Sequence, residues 1–434
     1  MKTENDYLPK VLILSHEVIN LTTSVGKTLS QYFSNWPSNK ICQVYLHSEL
    51  PTTHICEEYY RITDFDIIRS FISFKSAGRA IIADEIDEHR ISARTDTGLK
   101  HTIYRKGQQK KSWMFPMRDF LWSFGTWKSK QFINWLKQCK ADVVFFPTSD
   151  YLFPYHILEY ITKQLGIPVV VCVFDDYYFS TIMNDSYITK EYIKKLRKIL
   201  SRTIRHSKYI LYNQPKMQKL YAQLFSNKSD NIFVTTDLLE EEEKRNNPIK
   251  LSYFGSLGLG RDNSIVEIGN VIREVAPEQD IYIDVYSSET DPTIIQKLNQ
   301  FNRINFHGEI TATEVKRVIS ETNILVLPES FDPIYRGRIE YALSTKIPEY
   351  LGSNRCILAF GPDYSGTIGY LKDNNVGAVA TSTDQLYEVL KIILFDAETR
   401  KRISGDQRKI AKLNHSNNRN DNVLKNALCR SVEP

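Results

Sequence analysis

The chain has 434 residues, of which 42% are hydrophobic and 25% charged, and its formal net charge is +5. At roughly 150 residues per domain, this length predicts two or three domains that each bury a core. The 56 basic and 51 acidic residues are too evenly balanced for a dedicated nucleic-acid binder, which concentrates Lys and Arg on one face.

The cysteines and the apolar runs exclude further classes of protein. The six cysteines are far apart in the sequence and form no CxxC pair, which predicts neither a disulfide framework nor a zinc site. The longest apolar run, residues 168–174, is far shorter than the roughly 20 residues that a membrane span needs. The charged N-terminus does not have the pattern of a signal peptide. We therefore expect a cytoplasmic protein.

Short β-branched runs alternate with amphipathic segments in the first half, which is typical of parallel strands joined by crossover helices. Strands are predicted at residues 10–15, 41–45, 143–146, 168–174, 209–212 and 231–235. Helices are predicted at residues 25–33, 128–137, 155–165, 188–204 and 216–225. An acidic, Asn-rich stretch that ends at Pro248 cannot bury itself, so it predicts a domain boundary.

The second half repeats the alternation. Strands are predicted at residues 250–254, 281–285, 304–306, 324–327, 356–360 and 378–380, and helices at 264–275, 292–298, 313–321, 347–352, 365–373 and 383–395. The predicted domains cover residues 1–245 and 246–412, and the tail, 413–434, is expected to pack back on the first domain. Doubly wound α/β sheets of this kind bind ligands beyond the carboxyl ends of their strands.

The segment STKIPEYLG contains the first candidate ligand-binding residues. Ser344 or Thr345 can cap the helix predicted at residues 347–352. The unpaired N–H groups and the positive dipole end of a helix attract phosphate, and Lys346 adds a full positive charge. Glu349 can accept hydrogen bonds from a pair of ribose hydroxyls. An ordinary capping pair on a structural helix fits the same spacing.

The segment YFGSLGLGR is a second candidate site. Gly255, Gly258 and Gly260 follow a predicted strand, and Arg261 precedes the next helix. Glycines let the backbone approach a phosphate closely, and the planar guanidinium of Arg261 can hold that phosphate. The loop is neither a Walker motif nor a GxGxxG fingerprint, so on its own it also fits a turn that binds nothing.

These two segments, together with FHGEITATEVKRVISETNILVLPESFD, resemble the nucleotide-sugar half of GT-B glycosyltransferases, in particular the family 4-like enzymes of bacterial polysaccharide assembly. The stretch SKYILYNQPKMQKLYAQLF is similar to the end of that family's first domain. The resemblance implies an α/β fold of two Rossmann-like, doubly wound domains that face each other across a cleft. It also implies transfer of a sugar, with retention, from a nucleoside diphosphate donor to a glycan or lipid-linked acceptor, with no metal or other cofactor.

The resemblance also implies roles for single residues of the second domain. In that family the cation after the glycine loop and the Lys near the helix start hold the donor diphosphate, which are the positions of Arg261 and Lys346. Glu349 matches the ribose-binding second Glu of the family's glutamate pair. The first Glu has no clean counterpart, since Glu340 lies nine residues before Glu349 instead of eight. Asp332 is the other candidate for contact with the donor sugar.

Candidates in the first domain lie after predicted strands. Ser24, Gly26 and Lys27 look like the small-residue loop that faces donor and acceptor in the family, although a capped helix start fits equally. Asp175 and Asp176 end a buried strand and resemble the acidic pair that some members place at the acceptor side, with helix capping as the alternative. The Asp-Phe-Asp triplet at residues 64–66 has the spacing of a metal-binding motif, but we expect Thr63 or Asp64 to cap a helix here instead.

A basic run at residues 105–111 leads into an aromatic, amphipathic helix. This pattern suits the cytoplasmic face of an anionic membrane, although the aromatic side chains could equally form part of the core. We expect Trp122 and Trp135 to be buried, and the end that runs from Trp113 to Met117 is the candidate for peripheral membrane contact.

Two other functions fit the same sequence. A catalytically silent GT-B partner subunit would account for the imperfect first Glu, and it would bind a transferase without consuming donor. A sugar-nucleotide epimerase shares the fold, but it would convert the donor with no acceptor present.

Overall fold

The computed structural model describes residues 7–73, 75–82, 85–86, 114–179, 186–243 and 248–433. The chain divides into two compact units. Unit 1 comprises residues 1–232 and 420–434, and unit 2 comprises residues 233–419. Each unit is an α/β structure around one sheet.

The described strands of unit 1 form one eight-stranded sheet in the order β4-β3-β2-β1-β5-β6-β7-β8. They are β1 (Val11–Ser15), β2 (Ile41–Tyr45), β3 (Glu58–Arg61), β4 (Arg79–Ile81), β5 (Val143–Pro147), β6 (Val169–Val173), β7 (Tyr209–Tyr212) and β8 (Ser229–Asn231). Neighbouring strands are parallel except for β3 and β4. The described helices before residue 232 are α1 (Ser24–Tyr32), α2 (Asp64–Ser73), α3 (Met114–Ser123), α4 (Lys130–Cys139), α5 (Phe153–Leu165), α6 (Tyr187–His206) and α7 (Pro215–Tyr221).

The described strands of unit 2 form a parallel six-stranded sheet in the order β11-β10-β9-β12-β13-β14. They are β9 (Leu251–Phe254), β10 (Ile283–Tyr286), β11 (Ile304–Gly308), β12 (Ile324–Pro328), β13 (Cys356–Phe360) and β14 (Ala378–Ala380). The described helices after residue 233 are α8 (Arg261–Val275), α9 (Pro292–Asn299), α10 (Ala312–Glu321), α11 (Arg336–Ile339), α12 (Ile347–Gly352), α13 (Gly366–Asp373), α14 (Thr383–Ile393), α15 (Ala397–Asn414) and α16 (Asn417–Val432).

Central strands of both sheets are buried on both faces, as the sequence predicts. The strands β1, β5, β12 and β13 have every residue buried, because their continuous apolar sequences suit parallel strands with helices on both sides. The end of α16 completes the core of unit 1, to which Leu424, Ala427 and Leu428 contribute.

The order of the strands reverses once in each sheet. This switch point lies between β1 and β5 in unit 1 and between β9 and β12 in unit 2. Ligands of doubly wound sheets bind at the carboxyl ends of the strands at such a point. In unit 2 the residues that follow these two strands are Gly255 and Glu329.

The division between the units differs from the predicted boundary at residues 245/246, because it follows Ile232. The acidic stretch before residue 244 gains its partners from unit 2. The backbone N–H of Leu239 donates to an α12 carbonyl, and Glu243 forms a 2.8 Å ion pair with the buried Arg400. Residues 413–419 also belong to unit 2, where His415 hydrogen-bonds to the carbonyl of Val234.

Three short strands depart from the sequence-based expectation. The edge strand β4 and its neighbour β3 were not predicted, and β8 lies at Ser229–Asn231 instead of residues 231–235. Strands of three or four residues are too short for a clear apolar alternation, so their pairing depends on the neighbouring strand.

Candidate functional site

The glycine loop after β9 brings Lys346 against the backbone of unit 2. Gly255 has a φ of 123°, which L side chains rarely adopt. A Cβ atom placed on Gly255 would lie 2.4 Å from Cε and 2.8 Å from Nζ of Lys346. This φ is the reason that glycine is favoured here, and the short distances show that the lysine side chain lies across this residue.

Arg261 is the first residue of α8 and lies at the same end of the sheet. Its guanidinium donates to the carbonyl of Gly258 at 3.4 Å and to the carboxylate of Glu329 at 3.2 Å. The side chains of Arg261 and Glu329 are only 16% and 4% exposed. The residue before the helix, Gly260, has a φ of 72° and provides no side-chain cap. The N-terminal N–H groups of α8 therefore have no acceptor at the N-cap position.

Lys346 precedes α12 and is half-buried. Burial lowers the pKa of Lys346 to about 8, the charge of Arg261 lowers it as well, and Glu329 acts in the opposite direction. Nζ of Lys346 lies 5.4 Å from the centre of the Tyr253 ring. Arg261, Lys346 and Glu329 therefore interact as one electrostatic cluster at the carboxyl ends of β9 and β12, which we name the cation cluster.

The predicted cap of α12 was wrong, since Lys346 and neither Ser344 nor Thr345 occupies the N-cap position, and no side chain caps the helix. Ser344 contacts the residues around this position instead. Its hydroxyl accepts a hydrogen bond from the backbone N–H of Lys346 at 3.4 Å, and its carbonyl accepts from Ile347 at 3.0 Å. Thr345 and Glu349 are exposed, and Glu349 lies in the first turn of this helix. The role of Glu349 at a ribose stays a prediction.

The two candidates for the first Glu make local contacts. Asp332 is exposed, and its carboxylate accepts from the backbone N–H of Ile334 at 3.0 Å at the start of a short turn. Glu340 forms a 3.0 Å ion pair with Arg336. The carboxylate beside Arg261 is that of Glu329, which the sequence reasoning did not single out. A charged residue directly after a fully buried strand was the signal that could have identified it.

The small-residue loop of unit 1 is a capped helix start. The hydroxyl of Thr23 accepts from the N–H of Gly26 at 3.2 Å. The carboxylate of Glu17 accepts from Val25 at 3.1 Å and from Gly26 at 3.3 Å. Ser24 and Lys27 are exposed. Contact of Ser24, Gly26 and Lys27 with a substrate stays a prediction.

The acidic pair follows β6. Asp176 shapes the turn, since its Oδ1 accepts from the backbone N–H groups of two following residues and, at 2.9 Å, from the hydroxyl of Tyr221. Within the described part of the chain, its Oδ2 is buried and has no hydrogen-bond partner. Asp175 is exposed and accepts from the hydroxyl of Tyr177 at 3.3 Å. An acceptor-side role for this pair is likewise untested.

The residues that the structure describes include no group of three or more His, Cys, Asp or Glu side chains that could hold a metal ion. The Asp-Phe-Asp triplet lies at the start of α2. Asp64 accepts hydrogen bonds from Arg118 and Trp122, and Asp66 accepts from Thr63. A reaction that needs no metal stays a prediction.

No protein-family model and no curated protein sequence matches the chain. Among solved structures, it is similar to HepE of Anabaena in complex with UDP, at a TM-score of 0.63 and 11% identity over 97% of this chain and 99% of that one. It is also similar to a UDP-forming α,α-trehalose-phosphate synthase from Burkholderia xenovorans, at a TM-score of 0.62 and 8% identity over 98% and 100%. For WaaG, a glycosyltransferase involved in lipopolysaccharide biosynthesis, the TM-score is 0.52 with 12% identity over 95% and 99%. These likenesses confirm the predicted GT-B fold class of two Rossmann-like α/β units.

Proposed function

We propose that this chain is a glycosyltransferase that moves a sugar from a nucleoside diphosphate donor to a glycan or lipid-linked acceptor. The observation that carries the proposal is the cation cluster, in which Arg261 and Lys346 lie beside the open N-terminus of α8. The fold supports it, since similar structures contain UDP or UDP-glucose. Two cations at the switch point of a doubly wound sheet suit a diphosphate.

The cluster would act on the leaving group. When the bond between sugar and diphosphate breaks, negative charge develops on the phosphate oxygens, and preorganised cations and helix N–H groups stabilise it. Arg261 offers a planar pair of donors, and Lys346 offers a point charge. These charges would replace a metal ion, and the departing phosphate would help to deprotonate the acceptor while the configuration of the sugar is retained. No protein nucleophile is involved.

The remaining candidates take supporting roles in this proposal. The nucleotide would contact the glycine loop, the start of α12 and the ribose-binding carboxylate, through Gly255, Gly258, Gly260, Ser344, Thr345 and Glu349. Asp332 would face the donor sugar. The acceptor would bind to unit 1 near Ser24, Gly26, Lys27, Asp175 and Asp176.

A panel of nucleotide sugars tests the proposal. A donor that binds the folded chain raises its melting temperature by mass action, and about 100-fold excess over Kd stabilises it by about 2.7 kcal/mol. We expect one class of nucleotide sugar to stabilise the chain and to be consumed when a glycan or lipid-linked acceptor is added. Binding without consumption would favour a silent partner subunit, and conversion of the donor without acceptor would favour an epimerase.

We also propose that unit 1 makes peripheral contact with the cytoplasmic face of an anionic membrane, where a lipid-linked acceptor would be located. The supporting observation is a pair of apolar stripes on α2 and α3, two helices linked by hydrogen bonds from Arg118 and Trp122 to Asp64. Each stripe follows helical spacing and is exposed, with Phe65, Ile68 and Ile72 on α2 and Met117, Phe120 and Phe124 on α3 or just after it. Ile72 is 78% exposed and Phe120 63%.

The charges around these stripes are complementary to anionic lipids. Over residues 64–73, 75–82 and 114–130, five cationic residues are exposed: Arg69, Lys75, Arg79, Lys128 and Lys130. The partly exposed carboxylate of Asp64 is paired with Arg118 at 2.9 Å. Trp122 is buried, as predicted, and Trp135 is half-buried against Tyr60, while Trp113 lies outside the described residues. None of the described helices has both the length and the apolar character needed to cross a bilayer.

Vesicle sedimentation tests this contact. We expect the chain to bind vesicles that contain phosphatidylglycerol but not vesicles of phosphatidylcholine alone, because both apolar insertion and anionic attraction are needed. The double variant Phe120→Ser/Phe124→Ser should lose this binding. Phe395→Ser is the matched control, because Phe395 is 53% exposed in unit 2. Equal sedimentation of both variants and the wild type would contradict the proposal.

A further inference from the structure

Glu329 places a buried negative charge inside a site that we assign to an anion. Its backbone is fixed on both sides, because its N–H donates to the carbonyl of Phe360 at 2.8 Å and its carbonyl accepts from the hydroxyl of Ser264 at 2.8 Å. The side chain points to Arg261, and the pair is almost completely buried. Rotation of side-chain bonds is therefore the simplest way for this carboxylate to release the guanidinium.

The carboxylate of Glu329 and a diphosphate would use the same donor. Nη2 of Arg261 donates to Oε2 of Glu329 at 3.2 Å, and charge-assisted hydrogen bonds of this kind are strong. Phosphate oxygens that approached the same nitrogen would also be repelled by the nearby carboxylate, and this repulsion is weakly screened in a buried site.

We propose that Glu329 is an internal counter-ion that competes with the diphosphate for Arg261 and thereby limits how tightly the cation cluster holds it. This inference rests on the proposed function and deepens it. With Glu329 charged, two cations and one carboxylate leave a single positive charge in the cluster. A neutral residue in place of Glu329 would leave two positive charges in the cluster.

Such a counter-ion has two physical consequences. In the empty site it keeps two neighbouring cations together, since Arg261 and Lys346 otherwise repel each other. In the occupied site it weakens the hold on the nucleoside diphosphate product, and product release limits turnover in many enzymes. Glu329 is therefore a positioning residue that acts through Arg261.

The experiment is a calorimetric titration of inorganic pyrophosphate and of UDP into the full-length chain and into Glu329→Gln. The buffer is held at pH 6.5, well below the Lys346 pKa of about 8, so that this lysine stays charged in both proteins. We expect the variant to bind pyrophosphate at least about fivefold more tightly, with a steeper dependence on salt. In turnover assays the variant should show stronger inhibition by the diphosphate product and a lower kcat.

Glu321→Gln is the matched control, because Glu321 forms a 3.1 Å ion pair with Arg317 at the surface of the same unit. Its affinity for pyrophosphate should equal that of the wild type. If Glu329→Gln does not fold, Glu329→Ala removes the same charge and should show the same tightening.

The outcomes separate this inference from the proposed function. A wild type that binds pyrophosphate or UDP, with equal or weaker binding by the Glu329 variants, would overturn the counter-ion role and leave the donor site intact. A wild type that binds neither probe would overturn the donor site, and the counter-ion role with it.

Discussion

The two units contain the same local pattern at their switch points, but the pattern is completed differently. In each unit a buried strand leads through a loop into a helix, from β1 to α1 in unit 1 and from β9 to α8 in unit 2. In unit 1 the carboxylate of Glu17 and the hydroxyl of Thr23 already accept from the first N–H groups of α1. In unit 2 the position before α8 is occupied by Gly260, which has no side chain to do this.

The two helix starts also differ in the charges that surround them. The start of α1 carries a negative charge at its positive dipole end, which repels a further anion. The start of α8 has Arg261 and Lys346 nearby, and the carboxylate of Glu329 only partly offsets them. The carboxylate of Asp262, in the first turn of α8, is paired with Lys297 at 2.8 Å. A helix that starts with small residues after a buried strand is therefore not enough to predict phosphate binding. The side chains that reach the helix from elsewhere in the fold decide between the two outcomes.

The largest predicted effect is on sugar transfer. Arg261→Ala or Lys346→Ala should lower turnover by about 100-fold or more, because each removes a preorganised charge from the leaving diphosphate. Circular dichroism should show an intact fold in both variants. Arg317→Ala, which removes an exposed cation from the same unit, should retain turnover. Unchanged turnover in either of these two variants would show that the substituted residue does not act on the diphosphate.

A smaller effect is predicted on stability, where a substitution that abolishes transfer should increase the free energy of unfolding. Lys346 carries its charge in a half-buried position, so Lys346→Met should stabilise unit 2 by about 1–3 kcal/mol at pH 7 while transfer is lost. The folded pKa of about 8 is below the ordinary 10.5, so the unfolded chain binds more protons between these values. The stability of the wild type therefore rises with pH across this window, and the advantage of the variant should shrink.

Denaturant unfolding at pH 7 and at a pH above the ordinary lysine pKa measures this difference. A variant that is less stable than the wild type at pH 7 would show that the lysine is held without strain or loss of hydration.

The smallest effect concerns unit 1. Glu17→Ala should destabilise this unit by about 1 kcal/mol, because two N–H groups of α1 lose their acceptor and the dipole loses its counter-charge. The stability of Glu17→Gln should lie between those of Glu17→Ala and the wild type, since an amide oxygen keeps the hydrogen bonds without the charge. Glu388→Ala, at an exposed ion pair in unit 2, should leave stability unchanged. Equal melting temperatures of Glu17→Ala and this control would contradict the claim that Glu17 stabilises the start of α1.

The sequence predicted much of the fold because its signals are local. Most strands and helices of unit 2 have continuous apolar runs or clear caps, and β13, β14 and α12 have the predicted bounds. The glycine loop and Lys346 could be identified for the same reason. The contact between Lys346 and Gly255 could only be inferred from a family resemblance, because the two segments are far apart in the chain.

What the sequence did not reveal depends on tertiary contacts. Glu329 meets Arg261 across 68 residues, and Glu17 reaches α1 from the preceding loop. The two compact units divide before the acidic, polar stretch, which from its composition looked solvent-exposed. In the structure Arg355 and Arg400 accommodate it through hydrogen bonds to Glu241 and Glu243.

The central claim is that unit 2 holds the diphosphate of a nucleotide donor through Arg261 and Lys346. Calorimetric titration of UDP, GDP and the corresponding nucleosides into the wild type and into the double variant Arg261→Ala/Lys346→Ala tests it most directly. We predict that the wild type binds one diphosphate far more tightly than its nucleoside, and that the double variant loses this difference. Equal affinities of the two proteins for the diphosphate would contradict the account.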